Sequence, residues 1–263
     1  NLTESGTLNI RNSLTLANGI VVNKGNSQWN FTTTGALPIA MLGGTGSATI
    51  NNAGGALIAG FSITGQTLEI GSGVTIQGYG SLTRSSVATI TNNGSIIGNT
   101  AGQTFTISPT TFNNNGNLSL TAGTMTLSPT TFTNTGAITV SVGTFNLNAS
   151  NWSNTGTLGL SSGTLNLGGD FTAANFGTFT RSGGVVNLTG NITNTGNTLD
   201  IGNAGLFGTG SLGTFSGSII NGTLVSNDGT TLTSSSGTLD AVTLGSNLTE
   251  SGTLNIRNSL TLA

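Results

Sequence analysis

The sequence predicts an all-β fold, a parallel β-solenoid with about 20 residues per coil. Three observations predict it. An apolar motif recurs at a nearly constant spacing, apolar residues alternate with polar ones inside each motif, and Gly and Asn recur at fixed places between the motifs. Right-handed coiling is expected from the handedness of parallel crossovers.

The recurrence is clearest in residues 101–202. A second apolar residue follows each leading one by two positions, which places both side chains on one face of a strand. We predict that the leading residues stack in one inward column of the core. They are Phe105, Met125, Phe145, Leu165 and Val186.

Two further apolar pieces complete each coil. One is marked by Phe112, Phe132, Trp152, Phe171 and Ile192, and the other by Leu118/Leu120, Ile138/Val140 and Leu158/Leu160. Helices are disfavoured, because the apolar period is two and Gly, Asn and Thr dominate.

The turns between strands have their own repeat. Glycine is expected where the backbone needs a positive φ, and these glycines are Gly116, Gly136, Gly156, Gly177 and Gly196. An Asn lies two positions before each of them, and stacked Asn side chains can bond one another in a ladder. The predicted ladder is Asn114, Asn134, Asn154, Asn175 and Asn194.

Two places depart from the pattern. The stretch from Trp29 to Met41 contains Pro38 and lacks a partner at the repeat spacing, so we expect widened coils with a longer loop. Arg181 lies where the repeat requires an apolar residue. Either the strand ends early there or the register shifts by one, and Gly183 and Gly184 favour the shift.

An identical segment occurs at both ends of the sequence. Residues 1–17 and 247–263 both read NLTESGTLNIRNSLTLA. We therefore interpret residues 1–246 as one solenoid unit of about 12 coils, and residues 247–263 as the start of the next identical unit. The two copies should share one backbone, and the next unit should stack directly on the second copy. A deliberately duplicated end is the alternative.

Composition excludes several classes of function. The chain has five basic and seven acidic residues, a net charge of −2, and no His or Cys. Without a basic cluster, no nucleic-acid partner is expected. No apolar run reaches membrane-spanning length, so we expect no membrane insertion in this segment. No metal or organic cofactor is expected either. Because the chain begins at Asn1 rather than Met, we interpret it as an internal segment.

Nearly the whole chain carries a resemblance. The stretches GQTLEIGSGVTIQGYGSL, GTLNLGGDF, GTFTRSGGVVNLTGNITNTGNTLDI and SGTLDAVTLGSNLTESGTLNI resemble the repeat region of large bacterial surface proteins. Those are haemagglutinin-like or autotransporter-adhesin-like exoproteins with parallel β-helical stalks. The resemblance implies export, a bacterial cell-surface or extracellular location, and a part in fibre formation or adhesion. It implies no catalytic residues.

Catalysis and ligand binding find little support. Without His or Cys, the commonest general base and the thiol nucleophile are missing. Among the acids the nearest approach to a coil spacing is Asp228 with Glu250, with Asp240 between them. The Gly-rich stretches Gly43–Ser47 and Gly71–Gly80 lack the lysine of a phosphate loop. We therefore expect no enzyme.

One array keeps a second hypothesis open. Thr-x-Thr pairs recur one coil apart at Thr104/Thr106 and Thr124/Thr126, and Thr144 and Thr164 continue the first column. Flat Thr arrays are typical of ice-binding solenoids, although the second column turns to Asn146, Asn166 and Asn187. The sequence predicts a structural module of an extracellular fibre or surface stalk whose partner is itself. An ice-binding or glycan-binding solenoid adhesin is the alternative.

Overall fold

The computed structural model describes residues 3–4, 6–33, 39–60 and 65–263. The chain is an all-β parallel β-solenoid of about 12 turns, with about 21 residues per turn and almost no helix. Strands stack on their counterparts one turn away as a parallel ladder. The fold class predicted from the repeat is therefore confirmed.

The strands follow one another in short pieces. The first coils contain β1 (Thr3–Glu4), β2 (Thr7–Arg11), β3 (Ser13–Leu16), β4 (Val21–Lys24), β5 (Gln28–Thr32), β6 (Ile39–Gly44), β7 (Ala48–Ala59), β8 (Gln66–Ile70), β9 (Val74–Arg84) and β10 (Ala88–Asn92). The middle coils contain β11 (Ser95–Ile107), β12 (Thr111–Asn114), β13 (Asn117–Leu127), β14 (Thr131–Asn134), β15 (Ala137–Val140), β16 (Thr144–Leu147), β17 (Asn151–Asn154), β18 (Thr157–Leu160), β19 (Thr164–Leu167) and β20 (Asp170–Thr172). The last coils contain α1 (Ala173–Phe176), β21 (Thr178–Arg181), β22 (Val185–Leu188), β23 (Asn191–Thr193), β24 (Thr198–Asp200), β25 (Thr214–Phe215), β26 (Ser218–Ile220), β27 (Thr223–Val225), β28 (Leu232–Leu244) and β29 (Glu250–Leu262).

Each coil has three faces, which one regular coil illustrates. Strand β15 lies on the first face, β16 on the second and β17 on the third, and each pairs with its counterparts above and below. Strands β7, β9, β11 and β13 cover the first two faces without a break. Glycines with positive φ, such as Gly102 and Gly123, lie at their bends, where a side chain would strain the backbone.

The core is made of columns that run along the solenoid axis. The longest traced column begins at Leu8 on the second face and steps once per turn to Gly252. Its members are Leu8, Trp29, Leu57, Leu82, Ile107, Leu127, Leu147, Leu167, Leu188, Phe215, Ser234 and Gly252. From Trp29 to Phe215 these side chains are buried. Each coil therefore depends on its neighbours to cover its apolar residues.

The first coils are wider than the middle ones. Trp29 pairs with Leu57, and Val21 pairs with Thr49, so both steps are longer than those between the regular coils. This agrees with the widened coils predicted around the stretch from Trp29 to Met41, although Pro38 itself and the predicted loop lie outside the described residues. The strands on either side of these longer steps stay paired on their faces.

The two copies of the duplicated segment lie on different faces of the solenoid. Leu8 and Ile10 lie on the second face, where β2 pairs with β5. Their copies Leu254 and Ile256 lie in the part of β29 that continues the third face, beyond β26 and β28. A residue with positive φ occurs at the same place in both copies, with φ 67° at Asn12 and 58° at Asn258. The copies thus share a local backbone feature but are offset by one face.

Candidate functional site

The features that a mechanical function would need are the axial columns, and the first of these is the predicted core column. The structure pairs Phe105 with Met125, Met125 with Phe145, Phe145 with Leu165, and Leu165 with Val186. All five side chains are at most 1% exposed. One uninterrupted apolar column therefore joins five successive coils on the second face.

A ladder of buried asparagines lies at the end of the third face. Asn92 donates to Asn114 at 2.7 Å, Asn114 to Asn134 at 2.6 Å, and Asn134 to Asn154 at 2.6 Å. Each of these donors also bonds a backbone carbonyl, as Asn134 Nδ2 does with Gly136 O at 3.2 Å in the turn that follows its own strand. Buried amides need such partners. Asn92 extends the ladder by one coil that the repeat pattern had missed.

Asn175 is not in this ladder, so its predicted place is wrong. It lies in α1, where its backbone N–H donates to the side chain of Thr172 and its Oδ1 accepts from Thr172 N. Asn154 therefore donates to Phe176 O at 2.9 Å instead. The short helix replaces the turn found at this corner in the regular coils, and the capping box of Thr172 and Asn175 stabilises it.

Asn194 occupies a comparable corner without neighbouring ladder amides. Its Nδ2 donates to Asn197 O at 3.1 Å and to Thr223 O at 3.2 Å. Its Oδ1 is buried and has no hydrogen-bond partner among the described residues. The continuous ladder thus runs from Asn92 to Asn154 and does not extend to this residue.

The predicted turn glycines are required for two different reasons. Gly177 and Gly196 have φ of 63° and 73°, as expected, but Gly116, Gly136 and Gly156 do not have positive φ. At Gly136 an added Cβ would lie 2.0 Å from Gly116 O of the preceding coil. The expected conformational reason is therefore wrong for these three residues, and close approach of stacked backbones replaces it.

Arg181 stays in register, so the predicted register shift is wrong. Leu158, Gly159 and Leu160 pair with Phe179, Thr180 and Arg181 without a bulge. The guanidinium group donates to Phe207 O at 3.1 Å and Ser211 O at 2.6 Å. Burial lowers the pKa of Arg181 below its usual value. The irregular loop at residues 201–213 supplies the carbonyl oxygens that let an arginine replace the apolar member of the column.

The outward side of the second face carries a second, half-exposed ladder. The Thr column pairs Thr104, Thr124, Thr144 and Thr164 in order. In the neighbouring column Asn187 donates to Asn166 at 2.8 Å, Asn166 to Asn146 at 2.7 Å, and Asn146 to Thr126 at 3.3 Å. These amides therefore bond one another along the axis.

The acidic residues are engaged by different partners. Asp228 accepts from Asn203 N and Thr230 N, and these bonds, Asn203 first, hold the pKa of Asp228 well below its usual value. Asp240 Oδ2 lies 3.5 Å from Arg257 Nε. The backbone of Glu250 pairs with that of Leu232 in the ladder. No cluster of three potential metal-ligating side chains occurs in the described part of the chain. The spacing of Asp228 and Glu250 does not correspond to a ladder pair.

Comparisons with protein-family models, characterised proteins and solved structures find no match to this chain. Within the described residues there is no helix long and apolar enough to cross a membrane.

Proposed function

We propose that the chain is a structural module of an extracellular fibre or surface stalk. In this proposal, units equivalent to residues 1–246 follow one another in one polypeptide as a continuous β-solenoid. The partner of each unit is the next unit, and the mechanism is mechanical. Backbone hydrogen bonds run along the axis, apolar columns fill the interior, and the Asn ladder adds side-chain bonds in the same direction.

The observation that carries the proposal is that inward apolar side chains of the last coil are exposed. The apolar column of Ile192, Ile219 and Leu239 continues to Ile256 in β29. Leu239 is fully buried, whereas Ile256 is 49% exposed and Leu262 is 78% exposed. A further coil would cover these side chains and pair with the free edge of β29. Because β29 carries the sequence with which the repeat begins, the proposed next coil is the copy of residues 18 onwards.

The offset of the second copy by one face supports a winding of the fibre. Ile10 and its copy Ile256 both belong to inward columns, so the columns of one unit can extend those of the next. Each unit would then be rotated from the last in the same sense, by about one face of the three-faced coil. The extracellular and bacterial location in this proposal rests on the sequence resemblance. Antibody labelling of intact source cells tests it, and a purely internal signal would contradict it.

Hydrogen exchange tests the stacking. A chain extended by a second full unit is compared with the present chain, and the amides of Glu250–Leu262 are followed. We expect their exchange to slow by at least about 10-fold, because a covering coil supplies hydrogen-bond partners and burial. The amides of Thr144–Leu147, deep in the first unit, serve as the internal control. Unchanged exchange in β29 would contradict a continuous solenoid.

The outward Thr and Asn columns support ice binding as the second candidate. The Thr column is regular over four coils. However, the adjacent amides bond one another, which leaves fewer groups free to order water. Thermal hysteresis of the purified protein separates the candidates: a fibre module should show none, and a measurable hysteresis would favour the ice-binding alternative.

A further inference from the structure

A fully buried lysine lies inside the solenoid near its first coils. Lys24 is the inward residue at the end of β4 and is 0% exposed. Its Nζ donates to the backbone oxygen of Ser27 and to Oδ1 of Asn52, the latter at 2.9 Å. Asn52 is itself only 2% exposed. Burying an ammonium group is costly even when it is hydrogen-bonded, so the core contains an amine in direct contact with a buried carboxamide.

The ladder places Lys24 and Asn52 in one column. The two residues are direct partners on successive coils of the first face. The strand register therefore holds the amine beside the carboxamide.

The pocket is shaped closely around the amine and the amide. A Cβ added at Gly55 would lie 2.3 Å from Lys24 Nζ, and one added at Gly80 would lie 2.7 Å from Asn52 Nδ2. Asn52 Nδ2 donates to Gly55 O at 3.0 Å, which fixes the orientation of the carboxamide. The absence of side chains at these two glycines gives the pair its space. Such close, oriented contact in a buried site favours reaction between two groups.

We propose that Lys24 and Asn52 form an intramolecular isopeptide bond. Lys24 Nζ attacks Cγ of Asn52, the atom bonded to the oxygen that Nζ already contacts. The Nζ–Cγ bond forms, the Cγ–Nδ2 bond breaks, and Nδ2 leaves as ammonia. If the lysine begins as an ammonium group, the nitrogen leaves as an ammonium ion, so protons balance without an external reactant.

The product removes the cost of the buried charge. A charged amine and a primary amide become one neutral secondary amide. The bond links β4 to β7 across the widened coils, where Lys24 and Asn52 are ladder partners. A covalent link between coils opposes their separation along the axis. The bond lies within one chain and does not require assembly into a fibre.

Intact mass spectrometry of the folded, purified chain tests the bond. We expect a mass lower than the sequence mass by one ammonia molecule. After denaturation, trypsin should fail to cut after Lys24 and should release residues 12–84 as one fragment that is lighter by the same ammonia. A chain with the full sequence mass, cut normally after Lys24, would overturn the proposal.

Variants distinguish this bond from loss of ammonia elsewhere. Lys24→Arg and Asn52→Ala should both keep the full expected mass. Asn92→Ala, which removes a buried amide from the Asn ladder, should still lose ammonia. Loss of ammonia in either of the first two variants would place it at another asparagine and overturn the assignment. Circular dichroism of each variant checks that it is folded.

Discussion

The buried Asn ladder allows the sharpest single-residue prediction. Asn134→Ala removes a donor to Asn154 Oδ1 and an acceptor for Asn114 Nδ2, both at 2.6 Å. It also removes bonds to Gly136 O and Thr157 O. A buried bond contributes about 1 kcal/mol and an orphaned buried polar group costs roughly 1–3 kcal/mol, so we expect a loss of about 3 kcal/mol in unfolding free energy.

Asn146→Ala is the matched control. Asn146 also lies in an Asn ladder, with bonds to Thr126 and Asn166, but it is half-exposed and water can replace its partners. We expect a loss of at most about 0.5 kcal/mol. Chemical denaturation of both variants, followed by circular dichroism, gives the comparison. Equal losses would refute the argument that burial of the ladder amides makes them stabilising.

Three further predictions follow from the same columns. Phe145→Asp should destabilise by roughly 4 kcal/mol or more, because it puts an unpaired charge in a fully buried column; a melting temperature close to that of the parent would contradict the inward column. Gly136→Ala should lower the melting temperature more than Gly196→Ala, because the Cβ at position 136 would lie 2.0 Å from Gly116 O whereas the Cβ at position 196 meets nothing within 4 Å. The reverse order would show that the strain of a positive φ at Gly196 costs more than the close backbone contact at Gly136. Because the pKa of Asp228 is lowered in the folded chain, this carboxylate contributes stability above the unfolded pKa of 3.8, and the contribution is lost as pH falls through the lower folded pKa. The NMR signal of the Asn203 amide should therefore stay unchanged on acidification to pH 3.8. A change in that signal with its midpoint at pH 3.8 would contradict the bond between Asn203 N and Asp228.

The regular coils could be predicted from sequence because their columns need no insertions. From Ile107 through Leu127 and Leu147 to Leu167, the column of Leu8 advances by the same number of residues at each step, so spacing alone aligns the strands. Between Leu8 and Ile107 the steps are unequal and each is longer than those of the regular coils. The strands stay paired across these longer steps, and a fixed repeat length cannot align them.

The same insertions concealed particular residues. Asn92 is further from Asn114 in sequence than Asn114 is from Asn134, which hid the first member of the ladder. Lys24 and Asn52 are separated by one of the longest steps in the chain, so the repeat did not bring them together. Asn175 was misplaced because a four-residue helix, capped by Thr172, occupies that corner.

Arg181 was misread for a different reason. Its guanidinium is satisfied by the carbonyl oxygens of Phe207 and Ser211, which belong to a loop outside the repeat. A periodic pattern contains no information on such a loop, so the arginine looked like a break in the strand.

Electron cryo-microscopy of a chain of several tandem units tests the central claim most directly. A continuous solenoid should appear as one unbroken rod with an axial strand spacing of about 4.8 Å. The column of Leu8 takes 11 steps to reach Gly252 in the second copy, rather than the 12 coils expected from the repeat, so the unit spacing should be about 53 Å. Strand density should continue through each copy of residues 247–263, with successive units rotated in the same sense. Separate folded bodies joined by linkers, or a break in the strand spacing at each junction, would contradict the account.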